Sequence, residues 1–259
     1  MLRQNRLKQQ IASGQPVYGL FCSIPSPAMI ELIAEANYDF VIIDTEHVLI
    51  NPETIENMIR TAESYQLTPL VRVADSDPKT MLRLLDGGAQ GIVLPMVENA
   101  DQVRQALQSC KYHPEGVRSL NAGRPGAFGK APLTEYVTQA NKEIMLIAMI
   151  ESQRGVENIE DIVAVPHLDM ILEGAADLSQ SLGMPWQTSH RDVQNALNHC
   201  HQTASKAGLP YCAIPRAPDD HDIWLSKGVT SFVLGDERGT AFRALQSKIN
   251  SVKKGMNEQ

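Results

Sequence analysis

The chain is most informative first in what it lacks. Its four cysteines, Cys22, Cys110, Cys200 and Cys212, are scattered and form no CxxC pair among 259 residues. That excludes a disulfide scaffold and a zinc knuckle, and free thiols in a reducing compartment are the simplest reading. No apolar run approaches the roughly 20 residues needed to span a membrane. The first residues, MLRQNRLKQQIASG, carry charge but no apolar core of a signal peptide. A cytoplasmic location without membrane attachment is therefore expected. A basic excess is also missing. The formal net charge is -7, which argues against a general nucleic-acid binder, since such proteins need a basic footprint. There is no HExxH, no P-loop, and no glycine-rich dinucleotide fingerprint after the first apolar run.

What is present is a repeat of short apolar runs, each followed by a polar, amphipathic segment. The runs are VYGLFCSI (17–24), FVIIDTEH (40–47), PLVRV (69–73), GIVLPMV (91–97), IMLIAMIES (144–152), LDMILEG (168–174), YCAIPR (211–216) and SFVLGDE (231–237). Continuous apolar runs without strict alternation are the mark of parallel strands buried on both faces. The segments between them carry helix signals. Pro27 follows Ser26, Pro52 follows Asn51, and 100–110 and 190–208 space their apolar residues three or four apart. Eight strand candidates alternating with helices in a chain of this length predict one (β/α)8 TIM barrel over 1–259, with an additional N-terminal helix over 2–12. A doubly wound open sheet is the competing fold and would have to hold eight strands in one sheet. The Gly-, Pro- and Arg-rich stretch 119–133 reads as a loop and a candidate lid. The segment 251–259 reads as a polar tail that frays or crosses to another subunit.

In such a barrel the chemistry sits at the C-terminal ends of the strands. Glu151 and Asp177 each closely follow an apolar strand, on neighbouring strands. Carboxylates brought together repel unless a cation lies between them, and a hard divalent ion such as Mg2+ or Mn2+ would serve. The competing role for both is capping or salt bridging, and Asp177 could cap the turn it opens. Asp44 and His47 end strand two. A carboxylate on one imidazole nitrogen would leave the other as a base near neutral pH, or the pair is structural. Glu46 could hold the loop or pair with Arg72. Arg72, flanked by valines, needs a partner in the interior or an anionic substrate, where it could stabilise an enolate or alkoxide oxygen. Arg118 and Arg124 either meet a substrate carboxylate or flank a flexible turn. Asp236, Glu237 and Arg238 read as a strand end rather than a site. The remaining histidines, His201 among them, read as surface residues.

FVIIDTEH, LVRV, GIVLPMVENADQVRQAL, YHPEGVRS, IAMIES and LDMILEGAADLSQSLG together resemble the HpcH/HpaI family of metal-dependent aldolases, over about residues 17 to 240. The resemblance implies a TIM barrel, often a hexamer that exchanges a terminal helix. It implies a divalent metal on Glu151 and Asp177, a histidine–aspartate couple at His47 and Asp44, and Arg72 at the substrate oxo group. Ala176, beside the second metal position, and Arg118 and Arg124 are the further substrate contacts expected. Two stretches depart from the aldolase pattern. Ser119, Leu120 and Asn121 replace a GVG after Arg118, and Glu173-Gly174-Ala175-Ala176-Asp177 replaces GPxD. These departures point towards the siderophore-associated citrate synthases of the family, which supply citrate for carboxylate siderophores such as staphyloferrin B. The expected reaction is then condensation of oxaloacetate, a small 2-oxo acid, with acetyl-CoA. The alternative is class II aldol cleavage of a 4-hydroxy-2-oxo acid to pyruvate.

Overall fold

A computed structural model of the chain describes residues 4–130 and 132–257. Among them, eight parallel strands close in chain order into a barrel: β1 (Val17–Cys22), β2 (Phe40–Asp44), β3 (Thr68–Arg72), β4 (Gly91–Leu94), β5 (Met145–Ile150), β6 (Met170–Glu173), β7 (Tyr211–Ala213) and β8 (Ser231–Asp236). Every apolar run singled out in the sequence forms a strand. Helices α1 (Arg6–Ala12), α2 (Pro27–Glu35), α3 (Pro52–Ser64), α4 (Pro78–Gly87), α5 (Ala100–Cys110) and α6 (Leu133–Glu143) accompany the first half of the chain. The second half carries α7 (Gln153–Glu157), α8 (Ile159–Val163), α9 (Ala175–Ser181), α10 (Arg191–Lys206), α11 (Asp220–Ser226) and α12 (Glu237–Asn257). The starts of α3, α4 and α5 are capped by Asn51, Asp77 and Asn99, whose side chains accept the N–H of Thr54, Thr80 and Gln102. These bonds satisfy donors that a helix start leaves unpaired. Residues 251–257, in the stretch expected to fray or cross to another subunit, continue α12 as helix, and 258–259 lie outside the described residues. All four cysteines are free and buried. Among the described residues no helix is long and apolar enough to cross a membrane.

Two cores follow from the period of two along each strand. Phe40, Ile42, Leu70, Ile147 and Met149 fill the lumen, whereas Val41, Ile43, Val71, Leu146 and Ala148 face the helices. Gly19 belongs to the lumen, and a Cβ there would lie 2.1 Å from the Phe40 ring. The glycine thus gives the space that the ring occupies.

The end of the barrel where the strands begin is stoppered by α1. Leu7 is fully buried in the lumen cluster, with Ile11 packed beside it. Asn5 latches the helix in place. Its Nδ2 donates to the carbonyls of Gln90 (3.1 Å) and Glu143 (3.0 Å), and its backbone N–H donates to Glu143 Oε2 (2.7 Å). His201, expected at the surface, is instead buried. It packs edge-on against Tyr211 and Trp224, with ring centroids 5.4 and 5.5 Å away, because α10 turns that face inward.

Glu173 shows the other side of the alternation. It shares its parity with Ile171 and points out of the lumen, where Tyr211 Oη donates to Oε2 (3.1 Å) and the Ile214 N–H donates to Oε1 (2.9 Å). Burial pushes its carboxyl up to about 7, against the Ile214 N–H, the Arg216 charge and the Tyr211 hydroxyl.

Two outcomes follow for stability. Leu7→Ala should cost about 3 kcal/mol, the usual loss for a buried leucine that leaves a cavity, read as a lower midpoint in urea. Because Glu173 binds its proton more tightly folded than unfolded, its contribution is full below the ordinary glutamate range and is lost as pH rises to about 7. The loss amounts to about 3 kcal/mol at most. Glu173→Gln, compared with wild type by thermal unfolding at acidic and alkaline pH, should remove that part of the slope. An equal loss of stability at both pH values would show that the carboxyl holds its proton no more tightly folded than unfolded.

Candidate active site at the strand C-termini

The lumen alternation continues past the last apolar layer. After Phe40 and Ile42 comes Asp44, after Leu70 comes Arg72, and after Met145, Ile147 and Met149 comes Glu151. All three are buried, and all line one cleft of about 280 Å3 at the end where the strands finish. Asp177 and Ala176, both half-buried in the first turn of α9, line the same cleft, as does His47. The strands thus bring together five of the expected residues and His47 with them.

Asp44 and Arg72 are direct register partners on β2 and β3. Their side chains make a two-pronged pair, Arg72 Nε to Asp44 Oδ1 at 3.0 Å and Nη2 to Oδ2 at 2.8 Å. The Arg72 guanidinium also lies 4.6 Å from the Phe21 ring centroid and 3.1 Å, through Nη1, from Glu46 Oε2. Glu46 therefore pairs with Arg72, one of the two roles open to it. Asp44 Oδ1 further accepts the N–H of Glu46 (3.1 Å) and of His47 (3.4 Å). Burial alone would raise the Asp44 carboxyl, but the Arg72 bonds and charge, with the two N–H groups, outweigh it and hold it below the ordinary aspartate value.

This geometry corrects the expected His47–Asp44 couple. Both Asp44 oxygens are taken by Arg72 and the backbone. The His47 ring is more than half exposed, and its Nε2 lies 3.7 Å from Glu46 Oε2. The imidazole's acidic neighbour is Glu46.

Glu151 is placed by two backbone devices. Met96, at φ 49°, turns its N–H onto Oε1 at 2.8 Å; a non-glycine residue in that region is uncommon and costs strain. Gly174 allows the carboxylate to lie across β6, since a Cβ there would stand 2.6 Å from Glu151 Cγ and 2.7 Å from Oε2. Burial raises the Glu151 carboxyl to about 7, despite the Met96 N–H and Arg72, with Glu46 and Asp177 adding to the rise. Glu46 is also raised, again chiefly by burial.

A divalent cation fits this donor set. Glu151 is buried, opens on the cleft, lies within electrostatic range of Asp177, and has one hydrogen-bond donor on its two oxygens among the described residues. Such ions are commonly held by one or two carboxylates, with water and substrate oxygens completing the shell. Among the described residues no group of three or more His, Cys, Asp or Glu side chains is arranged to hold a metal. Glu151 and Asp177 are the two that would do so.

Arg118 and Arg124 are not in this cleft. Arg118 Nη2 bonds Asp86 Oδ1 at 2.6 Å, with its guanidinium 4.7 Å from the Tyr112 ring centroid. Arg124 bonds Glu63 and the Gly87 carbonyl. These partners follow or end α3, α4 and α5, so they lie at the opposite end, where the strands begin. The described part of the 119–133 stretch, up to 130, which holds a short 3-10 turn over Arg124–Gly129, is anchored there. Within one chain it cannot close over the cleft, because the chain leaving α5 is on the wrong side of the barrel.

Trp186, between α9 and α10, and Arg216, after β7, line the cleft without having been singled out in the sequence; Asp236 and Arg238, read there as a strand end rather than a site, line it too, Arg238 from the first turn of α12. Arg216 and Arg238 directly trail apolar strand runs, which was the available signal; Trp186 had none. Glu237, between Asp236 and Arg238, has a holding role. Its Oε1 accepts the N–H of Ser23 (2.6 Å) and of Ile24, fixing the exit of β1.

Comparison with known proteins agrees with this architecture. The pattern of the HpcH/HpaI aldolase/citrate lyase family matches residues 17–244. The 5-keto-4-deoxy-D-glucarate aldolase of Klebsiella pneumoniae subsp. pneumoniae is 32% identical over 251 residues, covering 96% of this chain and 97% of that protein. The crystal structure of the citrate synthase SbnG superposes with a TM-score of 0.91 at 44% identity, covering 97% of this chain and 98% of that one. An HpcH/HpaI aldolase from Desulfitobacterium hafniense DCB-2 gives 0.88 at 29% identity, covering 98% and 97%. With a matching pattern over most of its length and a barrel superposable on these relatives, the chain belongs to the HpcH/HpaI aldolase/citrate lyase family.

Proposed function

We propose that the chain condenses oxaloacetate with acetyl-CoA to give citrate and CoA, with Mg2+ or Mn2+ held by Glu151 and Asp177. The observation that carries this reading is a contrast between solved relatives of equal coverage. Identity is 44% to the citrate synthase and 29% to the aldolase. When bound, the cation would polarise the carbonyl of the 2-oxo acid as a Lewis acid. Arg72, fixed by Asp44 and flanked by Glu46, donates to the oxo oxygen as it gains charge. His47, beside Glu46 and open to the cleft, takes a proton from the acetyl methyl. The methyl carbon bonds to C2 of oxaloacetate, whose oxo oxygen takes up a proton to become the alcohol of a citryl thioester. Water then cleaves the thioester and CoA leaves as the thiol. The use we propose for this citrate is siderophore assembly, on the resemblance to siderophore-associated synthases.

The second reading, class II aldol cleavage, is favoured by the 32% identity to the glucarate-derived aldolase over almost the whole chain. The same floor residues would then hold pyruvate as nucleophile, so the floor alone does not separate the two. Thiol release from acetyl-CoA with oxaloacetate, with citrate identified as product, should be metal-dependent. Pyruvate release from a 4-hydroxy-2-oxo acid without any thiol release would replace the synthase by the aldolase. Glu151→Ala and Asp177→Ala should each abolish the metal-dependent reaction while circular dichroism shows a folded chain. Arg72→Ala should cost about 3 kcal/mol in transition-state stabilisation, on the order of a hundredfold in kcat, as loss of an oxyanion donor does.

We also infer a homo-oligomer, with six chains implied by the family resemblance. Helix α12 exposes Phe242, Leu245, Ile249 and Val252, and α2 and α11 expose Leu32 and Ile223. Apolar surface of this extent marks an interface. Light scattering should find an assembly of several chains. Charged substitutions at Phe242 and Leu245 together should shift it towards monomer; an unchanged mass would leave α12 without this role.

A further inference from the structure

The cleft has a floor that the chemistry uses and a rim that it does not. The rim carries Trp186, Arg216 and Arg238. Trp186 is 81% exposed and sits at φ 65°. A large apolar ring in water on a left-handed backbone is unfavourable twice over. Arg216 and Arg238 are exposed, and no ion pair within 4 Å forms at either guanidinium among the described residues, although the Arg216 charge is felt by the buried Glu173. Arg238 stands in the first turn of α12, where the helix dipole disfavours a cation. The acids close by are engaged with backbone. Asp236 Oδ1 accepts the Gly239 N–H at 2.7 Å, and Asp220 Oδ2 accepts the N–H groups of Arg216 and Ala217, each at 2.8 Å. The two cations therefore face the cleft mouth available for an anion.

The cleft is open and holds about 280 Å3, at the small end of the roughly 300–1,000 Å3 typical of ligand sites. A small oxo acid on its buried residues leaves the exposed ones at its mouth for the nucleotide end of a thioester. We propose that Trp186, Arg216 and Arg238 bind the 3′-phosphorylated ADP end of acetyl-CoA, the indole stacking on adenine and the two guanidiniums gripping phosphates. The pantetheine arm then runs down the cleft and delivers the acetyl thioester to Arg72 and His47. Guanidinium forks match phosphate oxygens bidentately, and an aromatic face accepts a base by stacking. The assignment rests on the citrate-forming reading, and it gives the CoA phosphates a site that needs no phosphate-binding loop.

The test separates nucleotide from thioester. In an Arg216→Ala/Arg238→Ala double variant, and in Trp186→Ala, KM for acetyl-CoA should rise about tenfold or more, as expected for losing one strong contact of this kind. Their kcat should stay within about twofold, as should KM for the acetyl thioester of N-acetylcysteamine, which carries neither phosphate nor adenine. An unmoved acetyl-CoA KM, or an equal rise for both thioesters, overturns the assignment. Binding gives a readout that does not need turnover. The chain has two tryptophans, Trp186 exposed and Trp224 buried. Adenosine 3′,5′-bisphosphate should quench the exposed one saturably in wild type and not in the double arginine variant. If wild type releases no thiol from acetyl-CoA and oxaloacetate, the citrate-forming reading falls. Quenching then still decides the rim: saturable quenching lost with the arginines supports the nucleotide site, and its absence in wild type rejects it.

Discussion

Strand alternation in a closed barrel is the constraint on which everything else depends. Each parallel strand must send every second side chain into a lumen that has no room for disorder. Phe40, Ile42, Leu70, Ile147 and Met149 satisfy it with apolar volume. One step further along the same strands the same rule delivers Asp44, Arg72 and Glu151 to a common floor. No loop has to find that arrangement. It is inherited from the packing, so the groups on it are held as firmly as the core.

The floor is electrically lopsided by design. One buried guanidinium faces Asp44, Glu46, Glu151 and, from α9, Asp177. Arg72 is committed geometrically to Asp44, whose carboxyl it keeps below the ordinary range. What remains for Glu46 and Glu151 is insufficient, and burial raises both. Positive charge placed between Glu151 and Asp177 relieves this directly, because buried like charges are costly without a partner. The strained backbone at Met96 and the missing side chain at Gly174 both hold Glu151 where that relief is needed. Structural expense at one carboxylate is the sign that its position has a use.

The fold was legible because buried parallel strands are written as uninterrupted apolar runs. The floor was legible because polar residues at the ends of those runs have few places to go. What escaped was whatever depends on register or on which end a loop occupies. Asp44 and His47 are near in sequence, but register puts Arg72 directly opposite Asp44, and the turn gives His47 to Glu46. Arg118 and Arg124 looked like substrate contacts because a Gly- and Pro-rich loop carries them. Composition does not say at which end of a barrel a loop lies, and α5 had already carried the chain to the far one. Exposed rim residues such as Trp186 leave no periodic trace at all.

The helix that stoppers the barrel also sets rules for traffic. With Phe40, Ile42, Leu70, Ile147 and Met149 packed below the cleft, Leu7 seated beneath them and Asn5 tied to Gln90 and Glu143, the cleft is a dead end. Nothing can pass through the barrel to that cleft, so whatever binds there enters and leaves by the end where the strands finish, and side chains around that one opening meet every molecule that does so.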